Sequence, residues 1–308
     1  MPGKISIIGA GNVGTATAFA IAMDGTPDEV VLLDRKLSKA KGEIMDIEHG
    51  NAFLPYTEFK ASKNYKDIKG SDIVIITAGA HQTPGETRLD LLAKNVSIMK
   101  SIVNDVKRNA PNAILVVVSN PVDVLTFFAK KFSGFPAHRV IGSGTMLDTA
   151  RYKSYIAKHF KVNAHNVHAY ILGEHGDSSF AALSSASIGP IPLNKMPGYK
   201  KADLDKIHDK VRNVVYEIIK KKGSTNLAIA VCVTQMVRAI LNNTHEVFPV
   251  SSVLNGEYGI GGVAVSTPSI LGSRGIEKEL ELPLDKTEKA ALRKSVTVLK
   301  KAIKSVKV

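Results

Sequence analysis

The chain has 308 residues, of which 44% are hydrophobic and 22% charged, and its formal net charge is +13. This composition excludes a disordered chain, and the length exceeds the roughly 100 to 200 residues of a usual single domain, so we expect two lobes. Neither a secretory signal nor an apolar run of about 20 residues, as a membrane span requires, is found, which predicts a cytoplasmic protein without membrane contact.

The first predicted strand ends in a glycine-rich turn. Residues 5–14 read ISIIGAGNVG, which places Gly9, Gly11 and Gly14 in a GxGxxG turn between a strand and a helix. The first glycine permits the tight turn, the second lets a pyrophosphate approach the backbone, and the third permits close packing of helix on strand. The alternative is a βα turn whose glycines serve packing alone.

A second apolar run, EVVLLD, ends at Asp34, twenty residues after Gly14. An acidic side chain at this distance can hydrogen-bond the ribose hydroxyls of a dinucleotide, and it repels the extra phosphate of NADP. Because Arg35 and Lys36 could soften that repulsion, residual use of NADP stays open. The two motifs together predict NAD as the cofactor.

Strands and helices alternate through the first half of the chain. Short runs rich in Val, Ile or Leu predict strands near 5–9, 30–34, 72–78, 113–119 and 139–142. Helical patterns fall between them at about 12–24, 38–50, 90–108 and 122–131. Continuous apolar strands are buried on both faces, so the pattern predicts an α/β fold with a doubly wound parallel Rossmann sheet. We assign the NAD-binding domain to residues 1–143.

The pattern changes in the second half, which we assign to an α+β substrate-binding domain over residues 144–308. Helices are predicted at about 146–160, 202–222 and 225–241 and from 285 onward, with mixed strands between them. The only cysteine, Cys232, excludes a disulfide within the chain, and it lies in the apolar stretch LAIAVCVTQMV, where a buried packing role is expected.

The positive charge is distributed along predicted helices, with one tight run at Lys220–Lys222 near a helix end. Lysines near a helix C-terminus interact favourably with the helix dipole, which gives this run a structural explanation. The basic residues are also not interleaved with aromatic residues that could stack on nucleic-acid bases. We therefore expect neither nucleic acid nor membrane as a partner, although a basic field could concentrate anionic substrates.

Asp148, Arg151 and His175 supply three complementary chemical roles from the runs LDTAR and GEHGD. A histidine exchanges a proton near neutral pH, a carboxylate fixes its tautomer, and an arginine fork matches a substrate carboxylate. Each residue also has a structural interpretation: a core histidine, a helix cap and a surface ion pair. Their spacing alone does not decide between the two.

Five ordered motifs resemble the L-lactate and malate dehydrogenases, in the bacterial or archaeal branch, over nearly the whole chain. They are GAGNVG, AGAHQTPGETRLDLL at 78–92, VSNPVDVLT at 118–126, GSGTMLDTAR at 142–151 and NVHAYILGEHGD at 166–177. The resemblance implies reversible hydride transfer between NADH and a 2-oxo acid, with His175 as the proton donor and acceptor and Asp148 orienting it.

The resemblance also assigns the other site residues. Arg151 and Asn120 would bind the substrate, Thr225 would line its pocket, and Arg88 would polarise the carbonyl from a closing loop, although Arg88 could equally be a solvated charge. The positions expected to bind the cofactor are Gly9, Gly11, Asn12, Val13, Gly14, Asp34, Ala78, Gly79, Ser119 and Asn120. No metal is expected, because His159 and His165 lack acidic or thiol partners at ligand spacing.

Position 82 separates the two branches of the resemblance. Malate dehydrogenases carry an arginine there for the second carboxylate of oxaloacetate, whereas Gln82 is neutral and leaves space for the methyl group of pyruvate. The sequence therefore predicts that pyruvate and L-lactate are the substrates. Departures after GEHGD, after Thr225 and at GIGGVAVSTP leave the pocket volume, and so the use of larger 2-oxo acids, open.

Regulation and assembly are also implied by the resemblance. Lys153 and His168 match the arginine and histidine with which many bacterial relatives bind fructose 1,6-bisphosphate between subunits. The lysine keeps the charge but loses the fork, and His168 could be an ordinary strand histidine. A homo-oligomer, expected to be a tetramer, agrees with the general preference for closed symmetry.

Two alternatives stay open at this point. The first is a malate or broad-specificity 2-hydroxyacid dehydrogenase, and the second, from another class, is an inactive NAD-binding structural protein. The second alternative should have lost part of the proton and carboxylate residues, and this chain retains them.

Overall fold

The computed structural model of the chain describes residues 3–80 and 87–306, with Arg88 described by its backbone alone. The strands of the first half are β1 (Lys4–Ile8), β2 (Glu29–Leu33), β3 (Glu58–Ser62), β4 (Ile73–Ile76), β5 (Ile114–Val117) and β6 (Val140–Gly142). Its helices are α1 (Asn12–Asp24), α2 (Leu37–Glu48), α3 (Arg88–Asn109) and α4 (Val122–Ser133). The predicted doubly wound fold is confirmed.

These six strands form a parallel sheet in the order β3-β2-β1-β4-β5-β6, counted over the described ranges. Successive side chains of each strand point to opposite faces, so Ile7 packs with α1 and α2 whereas Ile8 packs with α3 and α4. Helices therefore cover both faces, which explains why these strands are continuously apolar.

Strand β3 was not predicted from the sequence. Its residues read EFKAS, its burial alternates, and it pairs only along β2 in the described part of the sheet. An edge strand has one solvated side and needs few apolar residues, so it lacks the continuous Val, Ile and Leu signature of the central strands.

The second half contains the predicted helices α5 (Met146–Phe160), α6 (Lys201–Lys222), α7 (Leu227–Leu241) and α8 (Lys286–Ser305). Its short strands are β7 (Val167–His168), β8 (Ile171–Leu172), β9 (Phe180–Ala181), β10 (Ser187–Ile188) and β11 (Ile191–Pro192). Helix α6 is capped at its C-terminus by Gly223, whose φ of 82° is left-handed, and Lys220, Lys221 and Lys222 occupy its last turn as predicted. Three positive charges thus face the negative end of the helix dipole.

The remaining strands extend the first sheet instead of forming a separate one. Strands β12 (Glu246–Asn255), β13 (Gly261–Gly272) and β14 (Gly275–Glu279) are antiparallel, and β12 pairs with β6 through Ser251 and Gly142. Over residues 3–80 and 87–306 the result is one sheet of nine strands. The two halves of the chain therefore share a hydrogen-bonded backbone connection.

Cys232 is buried on α7 among apolar side chains that pack beneath the sheet, as predicted. Burial raises the pKa of its thiol to about 12, so the thiolate required for nucleophilic chemistry is strongly disfavoured.

Within the described ranges, no single helix is long and apolar enough to cross a membrane, although the bent pair α6 and α7 together meets the criteria of length and composition.

Candidate active site

The glycine-rich turn connects β1 to α1 with little space for side chains. Gly9 has a φ of +112°, a conformation that L side chains rarely adopt, and its N–H donates to the Leu33 carbonyl at 2.7 Å. A Cβ on Gly14 would lie 1.8 Å from the Gly9 carbonyl oxygen, whereas a Cβ on Gly11 would meet no heavy atom within 4 Å. Gly14 thus packs helix on strand, and Gly11 leaves open space where a phosphate could approach.

Asp34 follows β2 and lies beside this turn. Its carboxylate accepts hydrogen bonds from the backbone N–H of Ala10 at 2.9 Å and of Lys36 at 2.8 Å. The side chain is partly exposed, so its remaining lone pairs can accept from ribose hydroxyls. The geometry fits the predicted role in binding a dinucleotide.

The segments that follow β4 and β5 are joined by side-chain hydrogen bonds. Ser119 Oγ donates to the Ala78 carbonyl at 2.7 Å, and Asn95 of α3 accepts from Ala80 N at 2.7 Å and donates to the Asn120 carbonyl at 3.1 Å. A Cβ on Gly79 would contact both Asn95 and Ser119. Asn95 was not predicted as a site residue, because the sequence does not distinguish a buried asparagine on a helix from one at the surface.

His175, Asp148 and Arg151 are brought together as predicted. Helix α5 presents Asp148 and Arg151 on one face, three residues apart, with Arg151 Nη1 3.2 Å from Asp148 Oδ1. His175, in the loop after β8, places Nδ1 2.6 Å from Asp148 Oδ2. The carboxylate therefore contacts both cations, which leaves Nε2 of the imidazole to exchange a proton.

The charges of this cluster change its proton affinities. Burial would lower the pKa of His175, but the Asp148 carboxylate overrides burial and raises the pKa to about 9. Burial would raise the pKa of Asp148, but His175 and Arg151 hold the pKa below its ordinary value. The pair thus favours an imidazolium bonded to a carboxylate, as an acid that protonates a carbonyl oxygen requires.

Asp123 contacts the main chain of His175 and was not predicted from the sequence as a site residue. It belongs to α4, is buried, and accepts the backbone N–H of His175 at 2.7 Å through Oδ2. Its position in VSNPVDVLT, directly after a strand of the parallel sheet, was the available signal. The carboxyl ends of such strands are where ligand sites form.

The loop predicted to close over the substrate lies partly outside the described residues. Gln82 lies outside the described residues, and Arg88 begins α3 without a described side chain. A capping box formed by Thr87 and Asp90 fixes the start of this helix. The sequence predictions for Gln82 and the Arg88 side chain therefore stay predictions.

Thr225 lies half-buried between α6 and α7, next to the glycine-rich turn. Asn12 Nδ2 donates to the hydroxyl of Ser224 at 3.0 Å, and Asn226 Nδ2 donates to the Asn12 carbonyl at 3.4 Å. Val13 is the next residue of α1 and packs against the core of that face. The segment around Thr225 is thereby held against the predicted cofactor region.

Lys153 and His168 line one cavity of about 150 Å³ between α5, β7 and β12. Burial lowers the pKa of Lys153, and His168 is exposed at the cavity. Across the part of the chain that the structure describes, no group of His, Cys, Asp and Glu could hold a metal ion.

Family models match both halves of the chain. Residues 3–142 match the lactate/malate dehydrogenase, NAD binding domain, and residues 145–308 match the lactate/malate dehydrogenase, alpha/beta C-terminal domain. These matches confirm the resemblance inferred from the sequence motifs.

Relatives of known name are similar over nearly full length. L-lactate dehydrogenase 1 of Clostridium acetobutylicum is 48% identical and L-lactate dehydrogenase of Acetivibrio thermocellus 46%, over 98% of this chain and 98% and 97% of theirs. Among solved structures, the minor L-lactate dehydrogenase from Enterococcus mundtii in a ligands-bound form is 40% identical with a TM-score of 0.96, covering 100% of this chain and 99% of that one. A lactate dehydrogenase, MGS-M5, from a Medee basin deep-sea metagenome library is equally similar, with 40% identity, a TM-score of 0.96, and coverage of 99% of this chain and 98% of that one.

Proposed function

The chain belongs to the lactate/malate dehydrogenase family, and we propose that it acts as an NAD-dependent L-lactate dehydrogenase that interconverts pyruvate and L-lactate. The observation that carries this proposal is the contact of His175 with Asp148 beside Arg151. It is the arrangement that a small acid with an oxygen to protonate needs. The same residues argue against an inactive NAD-binding scaffold.

The residues present fit NAD. Gly11 offers open space for the pyrophosphate, and Asp34 offers carboxylate oxygens beside the turn. Asn12, Val13, Ala78, Gly79, Ser119 and Asn120 are proposed to complete the cofactor site with Gly9 and Gly14. The cofactor supplies or accepts the hydride, and the residues of the chain handle the proton and the carboxylate.

We assign proton transfer to His175. Because Nδ1 is engaged by Asp148, Nε2 donates the proton to the carbonyl oxygen of pyruvate and takes it back from the hydroxyl of lactate. Asp148 fixes the tautomer and stabilises the imidazolium. The raised pKa of about 9 means that His175 is protonated at neutral pH, which favours pyruvate reduction.

Arg151 is assigned to the substrate carboxylate. Its contact with Asp148 uses one nitrogen of the fork, so other N–H donors can bind a carboxylate bidentately. Its side chain is 13% exposed, so the charge interaction is only weakly screened by water. Asn120, Thr225 and Arg88 are proposed to bind the carbonyl oxygen, line the pocket and polarise the carbonyl, respectively.

A malate dehydrogenase is the second candidate, and position 82 distinguishes it. With Gln82, the second carboxylate of oxaloacetate would be buried without a counter-charge, which costs about 2 to 5 kcal/mol. Since each 1.4 kcal/mol is about tenfold, we expect kcat/KM for pyruvate to exceed that for oxaloacetate on the order of 100-fold or more. NADH oxidation with pyruvate, oxaloacetate and a longer 2-oxo acid measures this ratio.

The matched variant is Gln82→Arg, which should shift the ratio of kcat/KM toward oxaloacetate. An unchanged ratio would remove Gln82 from substrate discrimination. A wild-type enzyme that turns over oxaloacetate faster at limiting concentration would contradict the lactate assignment itself.

We propose a homo-oligomer because α1, α2 and α7 carry exposed apolar side chains, and the family resemblance implies that this oligomer is a tetramer. Phe19 is 50% exposed and Leu227 65%, and both line a cavity of about 300 Å³. Met23, Met45 and Val231 on the same three helices are also more than half exposed. Apolar faces of this kind mark protein interfaces, and a second copy would cover them. Light scattering on the purified protein measures the mass of the assembly.

Fructose 1,6-bisphosphate is proposed as an activator bound near Lys153 and His168, whose shared cavity supports an anion site. The division into domains at residues 143 and 144 and the cytoplasmic location are likewise proposals from the sequence.

A further inference from the structure

Asp123 is a buried carboxylate that the mechanism above does not use. It is 2% exposed, and its Oδ2 accepts the backbone N–H of His175 at 2.7 Å. Its Oδ1 is buried without a hydrogen-bond partner among residues 3–80 and 87–306. A charge placed here is costly unless it interacts with an opposite charge.

The opposite charge that Asp123 faces is His175. Asp148 and Arg151 approach the imidazole from α5, Asp123 approaches from α4, and Glu174 is the neighbouring residue of the loop. The carboxylate of Glu174 is engaged by the backbone N–H and the hydroxyl of Ser178. His175 therefore contacts two buried carboxylates from different helices, Asp148 through its ring and Asp123 through its main chain.

We propose that Asp123 is a positioning residue for His175: its carboxylate anchors the His175 backbone and stabilises the imidazolium as a second negative charge. Asp148 fixes the ring through Nδ1, and Asp123 fixes the main chain that carries the ring. Because α4 follows β5 and α5 follows β6, two neighbouring strands of the sheet hold the proton donor from two sides. The inference rests on the proposed role of His175.

Electrostatics supports this assignment. Burial lowers the pKa of His175, Asp148 more than reverses that effect, and the charge of Asp123 raises the pKa further. Burial raises the pKa of Asp123 itself to about 6, while Ser251 and the His175 N–H oppose that rise. Asp123 is therefore ionised above pH of about 6, throughout the range in which His175 exchanges its proton.

The test replaces Asp123 in two ways. Asp123→Asn keeps an oxygen that accepts the His175 N–H but removes the charge, and Asp123→Ala removes both. For Asn, we expect the alkaline pH midpoint of pyruvate kcat/KM to fall by about one unit, with KM little changed at pH 6, because less imidazolium persists at high pH. For Ala, kcat at pH 6 should also fall at least about tenfold, because the histidine loses its anchor.

The matched control is Thr126→Val, which replaces a buried hydroxyl three residues along α4 that donates to the Val122 carbonyl. It should change the melting temperature without moving the pH midpoint. An Asp123→Asn enzyme that folds and keeps the wild-type midpoint would overturn the proposal.

A second measurement uses the unaltered, cofactor-free protein. Titration of the His175 imidazole by NMR should show its own ionisation near pH 9 and a smaller response near pH 6 as Asp123 ionises. A His175 midpoint that is the same in this protein and in Asp123→Asn would overturn the proposal without testing turnover. Because this readout needs no substrate, it separates failure of this inference from failure of the proposed function.

Discussion

At the scale of residues, the site places one imidazole, that of His175, among charged groups that shift its pKa in opposite directions. His175 has a side chain 29% exposed, enough to meet a substrate, while Asp148 is almost fully buried behind it. Burial alone would make the imidazole a weaker base, and the carboxylates reverse that effect. Pyruvate reduction should therefore be supported at neutral pH and decline as pH rises through about 9, whereas lactate oxidation gains on the same rise.

Replacing His175 with Asn should lower kcat for pyruvate reduction by roughly 10² to 10⁴, because the proton donor is lost while the side chain stays polar and similar in size. NADH affinity, followed by fluorescence titration, should stay near the wild-type value. His159→Asn, at an exposed position of α5, is the control and should leave both quantities unchanged. Near-normal turnover of the His175 variant would place the acid and base elsewhere.

At the scale of elements, two glycines of the turn between β1 and α1 have different roles: Gly14 allows the helix to pack on the strand, and Gly11 is proposed to leave space for the cofactor. The Gly9 carbonyl oxygen leaves no room for a side chain at Gly14, whereas Gly11 faces open space at the start of the helix. Free N–H groups at that helix end, together with the helix dipole, make the open position suitable for an anionic group.

The two glycines should respond differently to alanine. Gly14→Ala places a Cβ 1.8 Å from a backbone oxygen and should lower the free energy of unfolding by about 1 to 3 kcal/mol. Gly11→Ala should change stability by less than about 0.5 kcal/mol but weaken NADH binding at least tenfold, on the order of 1.4 kcal/mol. Urea unfolding and fluorescence titration measure the pair, and equal effects on both quantities would contradict the assigned roles.

Predictability from sequence also differed between elements. The central strands and every predicted helix were recovered because continuous apolar runs and helical periodicity are local signals. Edge strand β3 was missed because it is half polar, and the pairing of β12 with β6 was not predicted because periodicity does not specify which distant strands pair. Asp123 and Asn95 were missed for a related reason: a polar side chain becomes informative only when the fold buries it.

At the scale of the whole molecule, one continuous sheet joins the N-terminal half of the chain to the C-terminal half. Asp123 and Asp148 follow β5 and β6, and β6 carries the pairing with β12. The site therefore lies at the connection between the two halves. Lys153, which lines the cavity described above, is on the same helix as Asp148. An anion bound in that cavity would act on the helix that holds Asp148, the carboxylate proposed to orient His175.

If fructose 1,6-bisphosphate binds there, Lys153→Met should abolish its activation and leave basal turnover within about twofold, because one phosphate contact is lost. Lys158→Met, at an exposed position of the same helix, is the matched control and should stay activated. Pyruvate saturation curves with and without the bisphosphate measure the effect. Activation that persists in Lys153→Met would move the anion site elsewhere, and a wild-type enzyme without any response would refute the activator.

Cys232, the only cysteine of the chain, can be used to measure local opening of the structure around it. Because this thiol is enclosed on α7 and strongly protonated, alkylating reagents should modify the native chain only as fast as that helix transiently opens. The reaction rate would then measure the local opening of α7, without competing signals from other thiols. For the same reason, a cysteine introduced on the surface would be labelled selectively by a thiol-reactive fluorophore, because Cys232 reacts slowly in the native chain.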